Sequence, residues 1–198
     1  NMELIMGLCL GVSLSAACGF RIFVPPLIMA IADRSGYLAL PEDSLFGSDR
    51  ALVIFALAAL VEVGAYYIPW LDNVLDSIEG PVAVVAGVLV TETFLGDMAP
   101  ELRWVLAAVL GGTAAGATET LTVMTRLAST ATTGGLGNPV VSTAELGSSV
   151  VLSLTAIAVP GLALVIVLGL SLWVLRKIIR RLQKRQRRQE QTPWDETS

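Results

Sequence analysis

The sequence predicts an all-α membrane protein of about six transmembrane or half-membrane helices, two inverted three-helix repeats followed by a basic helical tail. Three observations predict it. Of 198 residues, 54% are hydrophobic and only 15% charged, with a mean hydropathy of +0.71, more apolar surface than a soluble domain can cover. Two stretches, 4–32 broken only by Arg21 and 51–70 broken only by Glu62, are long enough for a hydrocarbon core of about 30 Å. Finally, a pattern of glycines and charges in the first half returns in the second.

Taken in order, hydrophobic runs and breakers give spans near 4–32, 51–70, 81–96, 102–128, 140–159 and 161–175. The segment after Asn1 lacks the basic start of a cleaved signal and carries Glu3 instead, so it reads as a retained first helix. Cys9 and Cys18 lie on opposite sides of that helix, which predicts no disulfide between them. The second span ends in Tyr66, Tyr67 and Trp70, the fourth opens on Trp104 and the sixth closes on Trp173, where interfacial aromatics belong. Between the second and third, the acidic amphipathic piece 71–79 reads as lying along the interface. The third span is short and carries Glu92, while only Pro160 and Gly161 separate the fifth from the sixth, so a re-entrant or broken pair is open there.

The division into a transmembrane domain (1–175, with repeat halves at about 2–96 and 101–175) and a basic tail (176–198) follows from charge. Eight of the thirteen Lys and Arg residues fall in 176–188, directly after an apolar run. This favours a juxtamembrane anchor on anionic lipid over a nucleic-acid arm, and a cytoplasmic C-terminus in the inner membrane of a cell. Arg34, Arg50 and Arg103 then sit near outer loops, so orientation rests on the tail.

The repeat is specific in its spacing. Gly7, Gly11 and Arg21 recur as Gly112, Gly116 and Arg126, each 105 residues later. Each set precedes a Glu-x-Gly, at Glu62 and Glu145, and then a proline-opened apolar run, at Pro81 and Pro160. Three spans per half would insert the second half upside down, the inverted repeat of many secondary transporters. The glycine stripes Gly7/Gly11 and Gly112/Gly116 read first as helix-packing surfaces, which also permit a homo-oligomer.

There is no histidine, and no cluster of Cys, Asp and Glu has metal-ligand spacing, so neither metal nor cofactor is expected and the chain does not read as an enzyme. The informative residues are charges inside apolar segments: Arg21, Glu62, Glu92, Glu119, Arg126 and Glu145. Each costs about 2.5–3.5 kcal/mol or more near a bilayer centre, so they should face the interior and pair. Arg21, Glu62, Glu119, Arg126 and Glu145 are the candidates for substrate or proton coupling. Glu119 and Arg126, seven apart with Thr122 between, are equally well a structural network. Glu62 is equally well a structural partner of Arg21. The pairing expected is Arg21 with Glu62 and Arg126 with Glu145, or the counterpart in the other half. Protonating a glutamate would then free its arginine to hold an anionic group.

At Cys18-Gly19-Phe20-Arg21-Ile22-Phe23-Val24-Pro25-Pro26, Glu62, Ile68-Pro69-Trp70, Gly80-Pro81, Arg126, Asn138-Pro139 and Glu145 the chain resembles the domain of unknown function 4126 family, over about residues 4–170. Where the family pattern has an Asp-Lys pair before Ile-Pro, this chain has Tyr66-Tyr67, which leaves an ionic role of that pair without its residues. The resemblance implies a small bacterial multi-pass protein and carries over no activity. The residues themselves suggest a small secondary transporter or a flippase for a lipid or another amphiphile, with protons as a candidate coupling ion. The alternative is a structural or assembly subunit of a membrane complex. Membrane lipids and a small-molecule or lipid substrate are the expected partners, and nucleic acid is not.

Overall fold

Pro25 and Pro26 dictate the first event of the fold. A proline clashes with the carbonyl four residues back and offers no N–H, so a helix running through 21 and 22 cannot continue. In the computed structural model the chain duly breaks there: α1 is Met2–Cys18 and α2 is Val24–Arg34, opened by its prolines. The structure describes the backbone of residues 2–41, 44–96 and 98–190, and the side chains within them other than 69–74, 76–77, 181–182 and 184–190.

The described residues form helices joined by turns and short irregular stretches, with no strand among them. Helix α3 (Asp49–Ala65) starts on Ser48, whose Oγ accepts the Ala51 N–H at 3.0 Å, an ordinary N-cap. Helix α4 (Pro69–Thr93) begins on one proline and passes through another, Pro81. Helix α5 (Pro100–Leu106) runs through a π-helical turn, Ala107–Gly111, into α6 (Gly112–Thr133), which stops at Gly134 with φ +63°, a left-handed cap that glycine allows without strain. Helices α7 (Asn138–Ala158) and α8 (Pro160–Glu190) are separated by Val159 alone. Asn138–Ala158 and the Pro160–Arg180 part of α8 are long and apolar enough to cross a membrane, and Met2–Cys18 is a shorter apolar helix.

One sequence expectation is corrected here. The acidic piece 71–79 is not a separate interfacial segment but the first half of α4, continuous with the expected third span through Pro81. The expected fifth and sixth spans correspond to the helices α7 and α8, packed on each other and both on α1. Of the tail, residues 176–190 continue α8, and 191–198 lie outside the described residues.

Helix α1 is the hub, touching α4, α6, α7 and α8, with α2 bracing α3 and α7. Its second half, Ser13 to Cys18, is wholly buried, and small side chains such as Ala16, Ala17, Ala114, Ala156 and Ala163 fill much of the core, so backbones come close. Polar side chains share this interior, while many large apolar ones lie on the outside. Ser13, Ser15, Thr91, Thr118, Ser149 and Ser153 are buried, while Ile54, Leu57, Leu60, Val61, Val165, Leu168 and Leu172 are exposed. Ser15 donates to Gly87 O at 2.6 Å and Ser149 to Ala17 O at 3.0 Å, tying α1 to α4 and α7.

The glycine stripes also differ from expectation. A Cβ on Gly7 would collide with Phe94 O, and one on Gly11 would come 3.1 Å from Thr91 Cα, but at Gly112 and Gly116 it would make ordinary contacts with Val84 and Val88. Both stripes therefore face the same helix, α4, and only the first is tight. Another close approach, outside both stripes, is between Gly87 of α4 and Gly111 of the π turn, where a Cβ on Gly87 would lie 2.7 Å from Gly111 O. Helix α4 packs on both α1 and α6, and α8 packs on α1.

Candidate functional site: a buried arginine and glutamate cluster

The break between α1 and α2 has two consequences at one place. It projects Arg21 inward, 2% exposed, and leaves the N–H groups of Ile22 and Phe23 without helical partners. Glu62 of α3 supplies them: Oε1 accepts from Ile22 N at 2.7 Å and Oε2 from Phe23 N at 3.1 Å. A carboxylate here also faces the positive end of the α2 dipole. Glu62 is thus bonded to the backbone beside Arg21, while the guanidinium turns to α7.

There Arg21 Nη2 donates to Ser142 O at 2.9 Å and to Glu145 Oε2 at 3.3 Å. Arg126 of α6 grips the same carboxylate with two prongs, Nε to Oε1 at 3.1 Å and Nη2 to Oε2 at 2.6 Å. Bidentate, charge-assisted bonds of this kind are the strong ones. One glutamate from the second half therefore holds the arginines of both halves. Arg126 meets the expected partner of its own half, and Arg21 meets the counterpart rather than Glu62.

Three members of the cluster lacked a sequence signal that singled them out. Tyr66, expected among the interfacial aromatics, is buried at 4%, and both guanidiniums lie over its ring, Arg21 at 3.7 Å and Arg126 at 4.2 Å from the centroid. Its hydroxyl, like Nε and Nη1 of Arg21, is buried with no hydrogen-bond partner. Ser142, one turn before Glu145, presents both its carbonyl and its hydroxyl to the arginines. Glu79 of α4, 6% exposed, lies within electrostatic reach of Arg126, Arg21, Glu62 and Glu145. Glu119 is buried on α6, where Gly19 packs against its backbone nitrogen.

Glu92 lies apart from this cluster, paired with Arg103 of α5 at 2.8 Å where both are partly exposed. They line a cavity of about 450 Å³ with Trp104. Two other cavities flank α3. One, about 1100 Å³, is an apolar groove between α2, α3 and α7. The other, about 460 Å³, lies between α3 and α4, walled by Leu57, Val61, Ile78 and Val82 and reaching Glu62 and Glu79. Among the described residues no three His, Cys, Asp or Glu side chains converge as metal ligands would.

The model of the domain of unknown function family DUF4126 matches residues 8–180. The chain belongs to that family. This family member matches no curated protein and no solved structure. The match includes every residue of the cluster, from Arg21 to Glu145, and ends within α8.

Proposed function

We propose that this protein is a small multi-pass carrier of a cell's inner membrane that moves an amphiphile, with the buried arginine and glutamate cluster handling the polar head and a proton as coupling ion. The observation that carries the reading is the cluster itself. Among the described residues, two guanidiniums face three carboxyl groups, Glu62, Glu79 and Glu145, inside a bundle whose outer surface is apolar. Such charges are costly away from water, and in membrane helices they mark substrate or proton paths. The excess carboxyl calls for a proton or a positively charged ligand, and the cavity between α3 and α4 reaches it.

The exposed large apolar side chains of the bundle and the two apolar helices at its C-terminal end support the membrane part of the reading. The basic continuation of α8 argues for a cytoplasmic C-terminus. The packing of α4 on α6 and of α8 on α1 is what two inverted halves would produce. A second reading, an assembly subunit, draws on the exposed apolar face of α8, which includes Leu162, Val165, Leu168 and Leu172.

The test is reconstitution of purified protein into liposomes with a trapped pH-sensitive dye and fluorescently labelled phospholipid and single-chain amphiphiles. A carrier gives protein-dependent movement of an amphiphile with accompanying proton flux, lowered in Glu145→Gln. Absence of movement for every probe, with stoichiometric co-purification of another membrane protein, favours the assembly subunit.

A further inference from the structure

We infer that the cavity between α3 and α4 is a binding site for a lipophilic organic cation, with the Glu79 carboxylate as its counter-ion and Glu62 behind it. This names the substrate class of the site on which the carrier reading rests. The walls are the apolar side chains of Ile22, Phe23, Leu57, Val61, Ile78 and Val82, and its two charged lining groups are both glutamates. A volume of about 460 Å³ falls in the range of small-molecule pockets, which are mostly apolar with a few placed polar groups.

Glu79 is the carboxyl group of the cavity wall best placed to meet a ligand. It is 6% exposed, makes no close hydrogen bond or ion pair with the described residues, and feels Arg126 and Arg21 only at longer range. Its neighbours are committed elsewhere. Glu145 holds Arg126 with both oxygens, and Glu62 holds the two backbone N–H groups at the head of α2. Neither arginine lines any of the three cavities described, and the Tyr66 ring covers a face of both guanidiniums. Among the described residues, an anionic head entering between α3 and α4 would meet two carboxylates in the wall and find both arginines already engaged with Glu145 and Tyr66, a repulsive encounter at low dielectric. A metal ion would need converging ligands that the described residues do not provide. An ammonium or phosphonium with apolar substituents needs only one carboxylate and greasy walls.

The experiment is equilibrium dialysis of tritiated tetraphenylphosphonium against the purified full-length protein in a non-ionic detergent. Saturable binding at one site is expected, weakened about tenfold or more in Glu79→Gln, with tetraphenylborate, of the same shape and opposite charge, failing to compete. Ala58→Trp, at a lining position that leaves both carboxylates in place, should abolish binding and keeps the test valid if Glu79→Gln folds poorly. Absence of saturable binding, unchanged affinity in a folded Glu79→Gln, or equal displacement by tetraphenylborate overturns the inference. Liposome flux of an anionic or neutral amphiphile alongside such a result would leave the carrier reading standing, whereas tetraphenylphosphonium binding without any flux would sink the carrier reading and spare the site.

Discussion

Arg126 and Glu145, nineteen residues apart on α6 and α7, close a two-pronged ion pair at 3.1 and 2.6 Å in the interior of the bundle. Arg21 reaches the same carboxylate from the break between α1 and α2, so one side chain ties together three segments that are distant in sequence. Removing one partner of a buried pair leaves the other charge uncompensated, which costs about 3–5 kcal/mol. Glu145→Ala is therefore expected to destabilise the protein by that order and to lower the midpoint of unfolding in mixed micelles. Glu92→Ala, which breaks the partly exposed pair with Arg103, should cost about 1 kcal/mol or less. Equal effects of the two substitutions would show that the cluster is not the fold's electrostatic centre.

Glu62 gives a prediction of a different kind. Its oxygens accept from Ile22 N and Phe23 N, so its structural role is that of a cap supplied from another helix. Losing a cap costs about 0.5–2 kcal/mol. In Glu62→Ala the amides of Ile22 and Phe23 should exchange hydrogen faster by about 2- to 30-fold, while those in the middle of α6 keep their protection. Unchanged exchange at both amides would mean that Glu62 serves Arg21 instead.

Close packing of α4 on the π turn sets the third expectation. A Cβ on Gly111 would collide with Gly87 O and the Thr91 side chain, and one on Gly87 would meet Ala115 Cβ at 2.7 Å. Overpacking of this kind costs about 1–3 kcal/mol, so Gly87→Ala and Gly111→Ala should both lower the yield of folded protein and its thermal midpoint. Gly116→Ala, with only Val84 near at 3.5 Å, should be close to neutral. A ranking in which Gly116 is the sensitive position would restore the stripe read from the sequence.

These three cases also separate what could be read in the sequence from what could not. The energetic need for Arg21, Arg126 and Glu145 to find one another was legible, because charges in apolar helices have few alternatives. Which glutamate Arg21 would meet was not, because that depends on how Pro25 and Pro26 turn the chain and expose two N–H groups to Glu62. Pro81 misled in the opposite direction. It reads as a helix start, which detached 71–79 from the following span and hid Glu79, yet α4 passes straight through it. Tyr66 has the composition of an interfacial aromatic and the burial of a core residue, and only the fold tells the two apart. Gly87 and Gly111 share no short motif, since their closeness is a property of two helices crossing.

The remaining prediction concerns orientation. Eight Lys and Arg residues lie between positions 176 and 188, continuing α8 beyond its apolar part. On the proposed topology such a segment would be held at the cytoplasmic face by the charge bias of insertion and by anionic lipid, at roughly 1 kcal/mol per charge near the surface. Cys9 and Cys18 are buried, so a cysteine introduced as Thr197→Cys should be the main target of a thiol reagent. It is expected to react with a membrane-impermeant maleimide only after cells are permeabilised. Replacing Arg180, Arg181, Lys184 and Arg185 by glutamine should make part of the population reactive from outside, because the other basic residues, Arg34, Arg50 and Arg103, then compete for the inner face. Labelling of the parent Thr197→Cys protein in intact cells would invert the assignment and place the Arg34 and Arg103 ends of the bundle in the cytoplasm.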